Sequence, residues 1–93
     1  MRKIKYTNQF KRDYRREKRK RHSLTLDNDL LSVVELLVID KKLSIKMRDH
    51  SLTGDWKDHR DCHIKPDLVL IYRKTKQNTL ELVRLGSHSE LGF

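Results

Sequence analysis

Little in this chain is available for cross-linking, for breaking secondary structure or for entering a bilayer: its 93 residues include one cysteine, one proline and three glycines. A lone cysteine cannot close an internal disulfide, so nothing points to an oxidising compartment. The longest apolar runs, Leu36 to Ile39 and Leu68 to Tyr72, fall far short of a membrane span or a signal-peptide core, although the chain opens with the basic Met1-Arg2-Lys3. These features place the protein in the cytoplasm with no membrane partner. There is no internal repeat, low-complexity segment or interdomain linker, and residues 1–93 read as a single small domain. Acidic residues are also in the minority, 13 against 22 lysines and arginines.

The resulting net charge of +9 and pI near 9.9 point to a polyanionic partner. Nucleic acid comes first, with a membrane surface or an acidic protein behind it. Charged residues make up 38% of the chain, but periodic apolar stretches break them up, as in a folded domain and not a disordered tail. Lys3-Ile4-Lys5-Tyr6 alternates as a strand does. Thr7 or Asn8 then caps a helix that starts its apolar face with Phe10 and Tyr14 and runs on to Arg21. Lys11, Arg12, Arg15, Arg16, Lys18, Arg19, Lys20 and Arg21 go almost all the way round that helix, with Asp13 and Glu17 as the only acids. A solvated helix and a phosphate-contacting surface are both compatible with this block, and the overall charge favours the second, with RNA or the ribosome as the partner.

Leu26, Leu30, Leu31, Val33, Val34, Leu37 and Val38 form the stripe of a second, structural helix ending near Asp40. A loop through Lys46, Arg48 and Asp49 leads to Gly54-Asp55, a turn signal. Trp56 to Ile64 reads as a strand with Lys57, His59, Asp61 and His63 on one face and Trp56, Arg60, Cys62 and Ile64 on the other. Leu68 to Tyr72 is a central strand, Lys76-Gln77-Asn78 a hairpin turn, and Thr79 to Leu85 the last strand. Strand, helix, helix and three consecutive strands imply an α+β domain with two helices on one face of an antiparallel sheet.

His50 to Asp67 gathers three of the five histidines, the only tryptophan, cysteine and proline, and several carboxylates. Histidine and aspartate are poor core material without partners but suit proton transfer near neutral pH. Zinc is disfavoured: there is no C-x-x-C and no H-x-x-x-H on a predicted helix, and His59 and His63 on one strand would stand roughly 13 Å apart. No metal and no cofactor are expected. Strand alternation turns Cys62 away from the histidines, so it reads as a small buried hydrophobe. Trp56 is either core filler or a platform for a base.

RNA cleavage fits this inventory. A 2′-hydroxyl attacks the adjacent phosphate without a metal if one group takes its proton, another protonates the leaving 5′-oxygen and a cation steadies the charge. His50, His63 and His88 with Asp67 could share the proton work, and Arg84 could be the cation. DNA, lacking the 2′-hydroxyl, is excluded by that chemistry.

The run from Asp49-His50 through Gly54, Trp56, Arg60-Asp61, His63 and Pro66-Asp67 to Ile71-Tyr72, followed by Arg84-Leu-Gly86-Ser-His88, closely resembles the YafQ branch of the RelE/ParE toxin superfamily. The resemblance covers nearly the whole chain. It implies a RelE-like fold and a type II toxin that cuts messenger RNA in the A site of the 70S ribosome. A cognate antitoxin, acidic and DNA-binding, would hold it inactive. By position, His50, His63, Asp67 and His88 would be the acid and base set and Arg84 the phosphate-binding cation. Trp56 would shape the site and Asp61 would orient a neighbour. Branch members commonly place an aromatic four residues after the last histidine; here that place is Gly92, with Phe93 one residue later. Two further readings stay open: a gyrase inhibitor on the same fold, as in the ParE branch, and a basic RNA-binding module without catalysis.

Overall fold

Thr7 joins the first strand to the first helix. Its hydroxyl accepts from the Phe10 backbone N–H at 3.0 Å and donates to the Val83 carbonyl at 2.7 Å, so it caps the helix and ties it to the last strand. The computed structural model describes residues 1–92. It comprises β1 (Lys3–Tyr6), α1 (Asn8–Glu17), α2 (Leu26–Val38), β2 (His50–Ser51), β3 (Arg60–Lys65), β4 (Leu68–Lys74), β5 (Thr79–Gly86) and α3 (His88–Leu91). Two 3-10 turns, Ile45–Met47 and Gly54–Trp56, flank β2.

The five strands form one sheet in the order β1-β5-β4-β3-β2. Alternation along β4 divides its apolar residues between two layers. Leu68, Leu70 and Tyr72 join Cys62, Leu80, Leu82 and Leu85 beneath the stripes of α1 and α2. Val69 and Ile71 face the other way and pack with Leu91, Leu52, Trp56 and Val83. Each fully buried leucine contributes about 1.5–3 kcal/mol, so the helix-covered layer carries most of the stability. The second layer is thin, and it forms the floor of an open face.

The α+β architecture matches the sequence reading, with three differences besides the added short elements β2 and α3. First, β1 pairs with β5 in parallel, so the sheet is mixed. Second, the basic helix stops at Glu17. Lys18 to Arg21 lie in turns closed by Arg19 N–H to the Arg16 carbonyl and Lys20 N–H to the Glu17 carbonyl. The inner face of α1 is not apolar alone, because Asp13 and Glu17 are buried on it.

Third, the strand expected from Trp56 begins only at Arg60. Lys57 and His59 donate their backbone N–H groups to the Gly54 and Trp56 carbonyls, and Asp58 has φ 69°. These turns take Lys57 and His59 off the strand face. They also swing Trp56 onto the open side, where it packs in the layer with Val69 and Ile71 and not beside Cys62.

The packing of α1 follows from a gap in the ladder. β1 covers β5 only as far as Leu82. Beyond it, Asp13 Oδ2 accepts the Leu85 N–H at 3.0 Å, and Arg16 Nη2 donates to the Leu85 carbonyl at 2.7 Å. Side chains of the helix thus satisfy strand groups that would otherwise be buried unpaired. Gly86 suits the same approach, since an added Cβ would lie 2.6 Å from Arg16 Nη2 and the guanidinium would have to shift from the Leu85 carbonyl.

Candidate active site

Strand register assembles the site. Asp61 on β3 is paired with His50 on β2 and Ile71 on β4, and Ile71 is paired with Arg84 on β5. His50, Asp61, Ile71 and Arg84 therefore form one row across the sheet. In the next row of the same face, His63 is paired with Val69 and Val69 with Gly86. His88 follows Gly86 by two residues at the start of α3, which Ser87 and Glu90 fix through a capping box. The ring centroids of His63 and His88 lie 5.1 Å apart.

Asp61 is the buried charge of this group, 3% exposed. Burial raises its pKa, and the charges of His50, His63 and His88 oppose that rise, so the carboxylate is within electrostatic reach of all three imidazoles. His50 Nδ1 lies 2.7 Å from the Arg48 carbonyl and 3.0 Å from Asp61 Oδ1. A carbonyl only accepts, so Nδ1 must carry the proton, and a neutral His50 has its lone pair on Nε2. That proton points at the carbonyl, which makes the Asp61 contact electrostatic; Oδ1 accepts no hydrogen bond from a described residue. His63 is shifted the other way. Burial lowers its pKa first and the neighbouring His88 adds to the effect, with Asp61 opposing.

The remaining predicted residues are distributed as follows. Arg84 is held by a carboxylate on α1, with Nε at 2.7 Å and Nη2 at 3.2 Å from Asp13. Asp67, in the β3–β4 turn, is bonded by Arg21 and lies 2.8 Å from His22 Nε2. The Arg21 bond and then His22 hold its carboxyl at about 2. It is not among the main charges acting on Asp61 or His63. Trp56 meets His59 edge-on, centroids 5.3 Å apart, and His59 itself bonds the Lys57 carbonyl through Nδ1. Phe93 lies outside the described residues. Cys62 is fully buried on the helix side with its pKa pushed up by burial.

The basic block separates into two sets. Arg16 is paired with Asp13, Glu17 and Glu90, Lys20 with Glu17 and Glu90, and Lys18 with Asp27. Lys11, Arg12, Arg15 and Arg19 are exposed and make no ion pair with a described carboxylate. Arg12, Arg15 and Arg19 line one shallow basic groove together with Arg16 and Lys20.

Sequence reasoning passed over two participants. Asp13 looked like one of two stray acids in a basic helix, and only the fold brings it to β5. Arg48, treated as loop, lines a cleft of about 540 Å³ together with His63 and His88. Its position directly before Asp49-His50 was the only available signal.

A family of bacterial toxins of type II toxin-antitoxin systems, YafQ, matches residues 2–92. The chain belongs to the YafQ family. A YafQ of Escherichia coli K12, named an mRNA interferase toxin, is 36% identical over 90 residues, covering 95% of this chain and 92% of its own. A metal-bound toxin from Helicobacter pylori superposes with TM-score 0.85 at 42% identity, over 98% of this chain and 99% of that one. YafQ in the E. coli DinJ-YafQ complex gives TM-score 0.81 at 34% identity, with 98% of each chain covered. Among the described residues of this YafQ-family chain, no three or more His, Cys, Asp or Glu side chains gather closely enough to hold a metal ion. No helix among them is long and apolar enough to cross a membrane.

Proposed function

We propose that this YafQ-family protein is a ribosome-dependent endoribonuclease of the cytoplasm that cuts messenger RNA in the A site and so arrests translation. The observation that supports this best is the set of three histidines around one buried aspartate on the uncovered face of the sheet. His50 Nε2 takes the proton of the 2′-hydroxyl, and the freed oxygen attacks the adjacent phosphorus. The P–O2′ bond forms as P–O5′ breaks, leaving a 2′,3′-cyclic phosphate. The departing 5′-oxygen takes a proton from the His63–His88 pair, in which the nearness of two imidazoles disfavours double protonation. Asp61, deprotonated, steadies whichever imidazolium forms.

Arg84 contributes positive charge in the same row, held in place by Asp13. Trp56 shapes the floor, and Phe93 would extend the substrate contacts. Asp67 takes no proton, because a carboxyl at about 2 is a weak base at neutral pH; it holds Arg21 and His22 at the β3–β4 turn. Lys11, Arg12, Arg15 and Arg19 attract ribosomal RNA. The partner that silences the protein is an acidic, DNA-binding antitoxin, in keeping with the DinJ-bound relative. Sequencing of RNA ends after brief expression should show breaks within coding sequence at ribosome positions. Intact transcripts during a full arrest of protein synthesis would reject the proposal.

A further inference from the structure

The cleavage reading leaves a charge unaccounted for. As the 2′-oxygen attacks, negative charge builds on the non-bridging phosphate oxygens, and histidines engaged in proton transfer do not hold it. Arg84 is the cation expected there, but Asp13 binds two of its guanidinium nitrogens, which leaves only part of its fork to donate to a phosphate. Around the His63–His88 cleft the other cations are Lys46, Arg48 and Lys65. Lys65 is spent on Asp29 at 2.8 Å. Lys46 and Arg48 are exposed and form no ion pair with a described carboxylate.

Arg48 has three features that Lys46 lacks. Its backbone is left-handed, φ 49° and ψ 43°, a conformation in which a Cβ crowds the following carbonyl and that Gly or Asn would adopt more readily. Its carbonyl sets the His50 tautomer at 2.7 Å. Its charge acts on His63, disfavouring the imidazolium there. One residue thus bears on both histidine sites, His50 through its carbonyl and His63 through its charge, and its guanidinium has no described acid partner while the residue lines the His63–His88 cleft. Strain of this kind is a pointer to function when the same residue faces a cleft.

We propose that the Arg48 guanidinium binds the scissile phosphate, donating two N–H groups to its non-bridging oxygens and stabilising the charge of the transition state. The inference rests on the cleavage reading and deepens it. A planar fork suits phosphate in a way that the Lys46 ammonium does not. The cleft, about 540 Å³, is of the size that accommodates small-molecule groups.

The test uses the intact protein on ribosome complexes carrying messenger RNA, with single-turnover rates at saturating ribosome. Arg48→Asn keeps a residue that tolerates the left-handed backbone, so the fold and the carbonyl to His50 are retained; equal melting temperatures check this. The cleavage step should slow by about 10²-fold, and Arg48→Lys should recover part of the loss. Sulfur in place of a non-bridging oxygen at the scissile phosphate should slow the wild type more than Arg48→Asn. Wild-type cleavage with an Arg48→Asn variant that matches it in rate and sulfur effect overturns the inference alone. A wild type that leaves messenger RNA whole on the ribosome overturns the cleavage reading, and this inference with it.

Discussion

Asp13 on α1 grips Arg84 on β5 through both oxygens, Oδ2 at 2.7 Å from Nε and Oδ1 at 3.2 Å from Nη2. The same carboxylate also accepts from Arg16 Nη1 and the Leu85 N–H, each at 3.0 Å. A side chain 4% exposed is therefore supplied with donors on all sides, as a buried charge requires. Removing it would strand the Arg84 guanidinium and the Leu85 N–H and take one of three acids from Arg16, which keeps Glu17 and Glu90. Asp13→Ala should lower stability by about 2–3 kcal/mol, less than a fully buried pair would lose because both arginines reach solvent. The urea midpoint measures this. A midpoint unchanged from wild type would show that the grip is incidental.

The two sets of basic residues predict a division of labour. Replacing Arg12, Arg15 and Arg19 with Gln should leave stability within about 0.5 kcal/mol and flatten the salt dependence of ribosome binding by about one unit of slope per lost phosphate contact. Replacing Arg16 and Lys20 should do the reverse, because their partners Asp13, Glu17 and Glu90 would lose their countercharges. Binding titrations across a salt series, read beside melting curves, separate the two. A steep salt slope retained by the first variant would move the ribosome contact elsewhere.

How much of this was visible in the sequence depends on how local each signal is. The leucine and valine stripe of α2, the Thr7 cap and the apolar run Leu68 to Tyr72 of β4 are properties of short windows, and they appear where the residues put them, except that Leu31 of the stripe is exposed. So does the outward turn of Cys62 from the histidines, which follows from alternation within β3. The start of β3 was misplaced because the turns that hold Lys57 to His59 depend on a left-handed Asp58, which an aspartate tolerates without announcing. Trp56 changed faces for the same reason. Pairings such as Asp13 with Arg84, 71 positions apart, and the parallel union of β1 with β5 join distant segments, and no local pattern encodes them. The motif supplied the candidates His50, His63 and His88; the row that joins His50 and Asp61 to Arg84 is visible only in the strand register.

The proton transfers proposed for His50 and the His63–His88 pair use no Lewis acid. Cleavage should therefore persist when a chelator selective for transition metals is added to preassembled complexes whose ribosomal magnesium stays in place. The comparison has point, since a similar toxin from H. pylori has been solved with metal bound. A loss of cutting that returns on adding one particular metal ion would replace the histidine mechanism with a metal-assisted one.

Asp61 should trade stability for activity, and pH shows how. Its folded pKa is raised, by burial first, so the folded state holds the proton more tightly than the unfolded chain does. Ionised Asp61 therefore costs stability above the folded pKa, and that cost fades as pH falls toward the unfolded value near 3.8. Asp61→Asn removes the buried charge and should gain about 1 kcal/mol at neutral pH, with the gain over wild type shrinking as the pH is lowered to 4. His63 works in the opposite sense in both proteins: its lowered pKa weakens the fold as pH drops below 6.5, and the loss of the opposing Asp61 charge should strengthen that trend in the variant. The same substitution should slow single-turnover cleavage by about 10²-fold, because a neutral amide no longer steadies the imidazolium that forms. Melting curves from pH 4 to 8 beside cleavage rates at neutral pH test both halves. A variant less stable than wild type at pH 7, or one that cuts at the wild-type rate, would remove Asp61 from its place at the centre of the histidines.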